Sequence, residues 1–222
     1  MPTDALINVN GDNIQALELL FLTTILTLLP SLIVMMTSFT RYIVVFSFLR
    51  SAMGTQQTPP NMVLVGMALI LSLFTMAPTL SAINEQAYQP YQAEEIGQQE
   101  FFTRAQVPLK EFMIDHTELQ SLRLYCNMAG MDLPEDKEEG LALPLTVIIP
   151  AFVTTELKMA FQIGFLLYIP FMLIDMVVAS TLMSMGMIML PPSMISTPFK
   201  LLLFILLDGW QLLFSTLVQG FR

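Results

Sequence analysis

Three charged side chains, Glu156, Lys158 and Asp175, interrupt the otherwise uncharged stretch from Leu141 to Leu190. A charge at the centre of an apolar helix costs about 2.5–3.5 kcal/mol on insertion scales, so such groups pair, line water or face a protein interior. Glu156 and Lys158 stand two apart, roughly 200° around a helix, and cannot pair with each other. By sign, Lys200 is a candidate partner for Glu156, and Asp175 or Asp208 for Lys158. Such pairs would fix how helices dock, within a chain or between copies. Charges at helix ends in the headgroup region, or a proton relay, are the other readings. The run "MSMGMIMLPP" is a second candidate: Met183, Met185, Met187 and Met189 alternate, and two prolines follow. In a helix that spacing scatters the sulfurs over opposite faces, whereas an extended loop puts them on one side.

Catalysis has little to work with. His116 is the single histidine, which removes any histidine pair for a metal. No GxSxG, HExxH or P-loop occurs. Asp175 and Asp208 do not form a close pair of the intramembrane-protease type. Cys126 is alone, so no intramolecular disulfide forms, and it reads as a small hydrophobe packed in a helix. The residues point away from an enzyme, and neither cofactor nor metal is expected.

The elements that must position these residues are apolar. The chain is 55% hydrophobic and 12% charged, against about 25% charged in ordinary soluble domains. Charge is missing from Leu19 to Thr40, from Ser51 to Asn84 and from Met176 to Phe199, and each run matches or exceeds the roughly 20 residues of a spanning helix. A membrane protein is expected. Pro30, Pro78, Pro150 and Pro170 fall within the major apolar runs, and each removes a backbone donor. In lipid the freed carbonyls need neighbouring helices or water, so these helices are expected to be broken and packed against protein. The connector carrying Arg41 and Arg50 should face the cytoplasm by the positive-inside rule. The first thirteen residues contain no Lys or Arg, so no secretory signal is read there; a natural start and a signal already removed are both open.

Acidity is confined to one insert. From Asn84 to Gly140 there are twelve acids and four bases, net −8 of the chain's −9. With no basic patch to neutralise phosphates, nucleic-acid binding is not expected. Within the insert, "PLKEFMIDHTELQSLRLYCNMAG" reads as one amphipathic helix, with Pro108 in its first turn, Gly130 at its end and an apolar stripe of Leu109, Phe112, Leu119, Leu122 and Cys126. That stripe must be covered by the rest of the chain or by another subunit. Glu100 and Arg104 have the favourable i,i+4 order. The organisation expected is therefore all-α. Apolar helices with the Arg-bearing connector occupy 1–83, the acidic helical insert 84–140, and apolar helical hairpins with the Met-rich loop 141–222.

Long ordered blocks, "TELKMAFQIGF", "PFKLLLFILLDGW", "TRYIVVFSFLRSAMGTQQTPPN" and "PLKEFMIDHTEL" among them, resemble the FliP family of flagellar export-gate proteins and its SctR-type counterparts in type III secretion. The resemblance runs from about Leu20 onward and implies a homo-oligomer of about five copies. It implies assembly with FliQ and FliR into a conical gate in the inner membrane, beside FlhA and FlhB, through which unfolded flagellar subunits pass. It also implies hairpins held largely above the membrane plane, in place of the four simple spans that hydropathy suggests. Met187, Ile188 and Met189 match a loop of three methionines that constricts the pore in the family; Ile188 departs from it and is stiffer. Glu156 and Lys200 match charges, and Phe112 and Tyr125 match aromatics, that the family places between subunits. Tyr125 stands where phenylalanine is usual, so its hydroxyl needs a partner. Arg41, Arg50, Lys158, Asp175 and Asp208 are the remaining candidates for buried charges. The competing reading is a small-solute or proton-coupled transporter that uses Glu156, Lys158 and Asp175, although no internal repeat accompanies it.

Overall fold

The computed structural model describes residues 6–9, 12–15, 20, 23–24, 27–28, 31, 34–55, 57–187 and 189–221. Pro30 and Ile188 lie outside the described residues. A short antiparallel hairpin comes first, with β1 (Leu6–Val9) opposite β2 (Asp12–Gln15) and Leu6 across from Gln15. The sequence reading contained no strand. Past the hairpin, the defined elements are helical: α1 (Phe39–Ala52), α2 (Asn61–Ile83), α3 (Gln98–Asp115), α4 (Leu119–Ala129), α5 (Lys137–Ala142), α6 (Leu145–Ser184), α7 (Pro192–Leu206) and α8 (Gly209–Gln219).

The core forms where α1 crosses α6, the most extensive helix contact in the molecule. Tyr42, Val45, Phe46 and Leu49 recur at three- and four-residue steps and are fully buried, which gives α1 one inward face. Ile148, Ala151, Phe152 and Ala160 supply the matching face of α6, and Leu64 and Ala68 of α2 complete the cluster. Gly164 lets the two helices approach: a Cβ there would stand 2.6 Å from the Phe48 ring.

Prolines lie inside the helices and do not end them. α6 runs unbroken for 40 residues through Pro150 and Pro170, and α2 continues through Pro78. This corrects the expectation of discontinuous runs. Each ring forfeits one hydrogen bond, and the bonds on either side together with packing keep the helix in register. Beyond Pro78 the coil widens into a π turn, Asn84–Tyr88, where the Gln89 N–H reaches back five residues to the Asn84 carbonyl. At 1.5 Å per residue α6 is about 60 Å long, twice the roughly 30 Å hydrocarbon core, so it cannot lie wholly within a bilayer. By length and composition, Asn61–Gln92 and Leu145–Ser184 are candidate spans, and α7 with α8 forms a third candidate bent by 63°.

The expected insert helix is two helices. Pro108 lies in the interior of α3, the chain turns at His116, and α4 restarts at Leu119 and ends at a left-handed Gly130, φ 66°. The Thr117 and His116 side chains take up the last carbonyls of α3, with Thr117 Oγ1 donating to Met113 O and His116 Nδ1 bonding Phe112 O. Phe112, Leu122 and Cys126 of the stripe are buried, with α3 and α4 laid on α6, whereas Leu119 is exposed. The chain therefore covers most of its own stripe. Burial pushes the Cys126 thiol up, which favours the inert protonated form. Glu100 and Arg104 pair at 2.5 Å, half-exposed. Asp136 caps α5 by accepting from the Glu139 N–H at 2.8 Å. Lys110 then ties α3 to the end of α5, donating to Leu141 O and Leu143 O at 2.8 and 2.7 Å. Burial pushes that lysine below its usual range.

Gly164→Val should destabilise the detergent-solubilised protein by about 1–3 kcal/mol, because the methyls must displace Phe48. Gly66→Ala, in the interior of α2 with no atom within 4 Å of its would-be Cβ, should be neutral or stabilising by up to about 1 kcal/mol. Thermal unfolding compares the two; equal effects would contradict the close approach at Gly164.

Candidate functional site

The two ends of α6 carry the candidate groups. At its far end the helix stops at Ser184, and Gly186 takes φ +75°, a left-handed conformation that suits glycine. The Met187 N–H bonds Leu182 O at 3.0 Å and the Gly186 N–H bonds Met183 O at 3.1 Å, closing the helix in a Schellman-type turn. Pro191 then caps α7, which begins at Pro192. The result is a hairpin tip. Met183 and Met185 are exposed on the last turn, Met187 is half-buried and Met189 is 97% exposed. Leu190 and Met194 add to the same exposed apolar tip.

A polar cluster ties the returning helix α7 back onto α6. Lys200 donates to Asp175 Oδ2 at 2.6 Å and to the Ala52 carbonyl, the last residue of α1, at 3.1 Å. Ser196 donates to Asp175 Oδ1 at 2.6 Å. Ser196 and Lys200 are buried and Asp175 is partly exposed. Three helices meet at this lysine.

Near the start of α6, Arg41 of α1 grips Glu156. Nε donates to Oε2 at 2.8 Å and Nη2 to Oε1 at 2.5 Å, with Arg41 4% exposed and Glu156 fully buried. Nη1 donates to Gly220 O at 3.3 Å, and the Phe221 ring lies 3.7 Å from the guanidinium carbon. Phe221 also stacks on Phe112 and approaches His116. The fork-to-fork geometry is the strong form of such a pair.

The sequence assigned these partners differently. Glu156 meets Arg41, and its expected partner Lys200 meets Asp175. Asp175 lies 19 residues beyond Glu156, about 28 Å along the helix, and α7 folds back only along the later part of α6. Lys158 pairs with neither Asp175 nor Asp208; its partner is Glu118 of the insert, at 2.5 Å. Of the candidate buried charges, Arg41 is buried, Arg50 is half-buried and bonds Asn61 Oδ1 and Pro59 O, and Lys158 and Asp208 are exposed on this chain. Glu156, Lys158 and Asp175 do not share a site. Tyr125 finds the hydroxyl partner it needed in Thr154 of α6, at 2.9 Å. Phe112 packs edge-on against Phe152. Sequence reasoning missed Arg41 as a partner, along with Ser196 and Phe221. The available signal was that Arg41 and Glu156 are isolated, opposite charges in apolar surroundings. Among the described residues no group of three or more His, Cys, Asp and Glu side chains is placed to hold a metal ion.

Long apolar helices, a buried ion pair between two of them, and many exposed leucines, phenylalanines and methionines define a helical membrane protein. Residues 22–217 match the model of the FliP family. The flagellar biosynthetic protein FliP of Bacillus subtilis (strain 168) is 52% identical over 207 residues, 93% of this chain and 92% of the relative. That of Aquifex aeolicus (strain VF5) is 48% identical over 213 residues, 96% of this chain and 88% of the relative. That of Pectobacterium carotovorum is 48% identical over 206 residues, 93% and 79% of the two chains. The chain belongs to the FliP family.

Lys200→Met removes the cation that joins α7 to Asp175 and to the end of α1. Amide exchange across Pro192–Leu206 should become about ten-fold faster, the loss of one charge-assisted hydrogen bond. Exchange in Phe39–Ala52 should change far less. An unchanged rate in α7 would show that this cluster does not hold the hairpin.

Proposed function

We propose that the chain is a core pore subunit of the flagellar type III protein export gate in the bacterial inner membrane. Unfolded flagellar subunits pass through a central channel that the Met187–Met189 loop constricts. The observation that carries this reading is the hairpin tip, where Met183, Met185 and Met189 stand exposed on a turn fixed by Gly186 and Pro191. A lone chain gains nothing by presenting such side chains to water, and a ring of copies turned inward would gather them into an apolar collar. Methionine is unbranched and polarizable, so the collar can repack around varied passing sequences. Between passages a narrow apolar collar excludes water and with it ions.

Assembly supplies the rest of the proposal. About five copies form the ring, with FliQ and FliR completing a conical gate beside FlhA and FlhB. The length of α6, far beyond one bilayer thickness, supports hairpins that stand partly above the membrane plane among partner subunits. On this reading Glu156 and Lys200 hold each protomer in shape next to its subunit contacts, and Phe112 and Tyr125 support that face from within. The acidic insert, 84–140, forms the outer part of each protomer. The chemistry is mechanical gating, with no bond made or broken. The solute-transporter reading needs Glu156, Lys158 and Asp175 around one path, and three separate partners occupy them at three places.

The double substitution Met187→Ala, Met189→Ala tests the gate. Cells expressing it should leak ions, read as membrane depolarisation, while the variant still co-purifies with FliQ and FliR at the wild-type native mass. Tight membranes with normal assembly would overturn the gating role of the loop.

A further inference from the structure

The bend between α7 and α8 holds an acid without an ion-pair partner among the described residues. Asp208 sits at φ 49° in the left-handed region, where the two helices turn by 63°. The bend is tightly built: a Cβ at Gly209 would fall 2.3 Å from the Phe204 ring, and Phe204 packs edge-on against Trp210 at 5.3 Å. The other two acids of the apolar C-terminal part, Glu156 and Asp175, each have a cation. Among the described residues no cation lies within ion-pair distance of the Asp208 carboxylate, which is exposed between Leu206, Leu207 and Leu212. A charge amid such side chains calls for a counter-ion, and the described residues supply none.

Next to the bend lies a groove of about 370 Å³ between α1, α6, α7 and α8. Its walls include Leu49, Leu167, Phe171, Leu203, Leu213 and Leu217, and Thr216 bears the one hydroxyl among the lining residues. Phe204 and Gly209 line this groove and also the smaller cleft of about 260 Å³ that contains Asp208, Trp210 and Gln211. The hydrocarbon slot and the cleft of the carboxylate are thus neighbours that share the Phe204–Gly209 wall, with an indole beside the carboxylate of the kind enriched at lipid headgroups.

We propose that this groove binds a phospholipid with a cationic amine headgroup, of the phosphatidylethanolamine class. One acyl chain fills the slot, and the ammonium donates to Asp208 beside Trp210. Charge decides the class: a headgroup without an amine, such as phosphatidylglycerol, brings only anionic phosphate toward the carboxylate. The lipid seals a gap in the packing of the bent helix pair and neutralises its acid together.

Native mass spectrometry of the full-length, detergent-purified chain, with phosphatidylethanolamine or phosphatidylglycerol added, tests the inference. The amine lipid should be retained preferentially. Asp208→Asn should lower its occupancy by about ten-fold, the loss of one charge-assisted hydrogen bond, and raise the weak phosphatidylglycerol signal, because the like-charge repulsion is gone. Leu167→Trp, which fills the slot, should abolish retention; if that variant does not fold, the Asp208→Asn comparison decides alone. Equal retention of both lipids, no retained lipid, or a second copy of the chain bound in place of lipid would each overturn the proposal. A failure here leaves the export-gate reading untouched, because the ion-leak experiment on Met187 and Met189 uses neither groove nor lipid.

Discussion

The fold depends on one buried ion pair. Arg41 and Glu156 come from helices 115 residues apart in the chain and meet where each helix is otherwise apolar. Two separated charges cannot stay there without each other, so only arrangements that join them are open to the chain. Such a pair adds little net stability over a well-packed apolar alternative, because desolvation offsets most of the attraction. Its effect is to select a register. With Arg41 fixed on Glu156, Tyr42, Val45, Phe46 and Leu49 fall against Ile148, Ala151, Phe152 and Ala160, and Gly164 meets Phe48. The same guanidinium collects Gly220 and Phe221, so the segment that follows α8 is fastened to the start of α1.

From that clasp the remainder of α6 acts as a strut. It projects about 28 residues beyond Glu156 before stopping at Ser184, a reach of about 42 Å. Pro170 falls within this strut and Pro150 just before the clasp, and neither ends the helix, because the hydrogen bond each ring removes is local. Near its tip the Lys200–Asp175–Ser196 cluster repeats the device in a partly exposed setting, bringing α7 back alongside. A deformable methionine tip can then sit on a stiff support. That division, rigid below and soft at the end, is what a constriction requires if it is to yield to a passing chain without the helices coming apart.

Much of this was legible in the sequence, for identifiable reasons. Charge-free runs and helical periodicity gave the all-helical class, and Gly130 ended its helix where a left-handed residue was needed. The Tyr125 hydroxyl required a partner, and Thr154 provides it. Pairings were not legible. Lys200 was the partner expected for Glu156 and Arg41 was not considered, since sign carries no information about which helices lie side by side. The split at His116 was hidden because Leu109, Phe112, Leu122 and Cys126 keep a helical spacing across the turn, and the break depends on side chains capping α3 from within. The β1–β2 hairpin escaped a reading trained on apolar runs, although the dipeptide Asn10–Gly11 is a hairpin signal. Proline misled in the opposite direction: a ring inside an apolar run weakens a helix, but tertiary packing decides whether it ends there.

The most direct test of the clasp is a double-mutant cycle on Arg41→Met and Glu156→Leu, read by unfolding of the purified protein in detergent. Each single substitution leaves one buried charge unpaired and should cost about 3–5 kcal/mol, whereas the double substitution should return close to wild-type stability. A double variant destabilised by the sum of the two singles would mean that the side chains do not meet, and the register of α1 on α6 would need another origin.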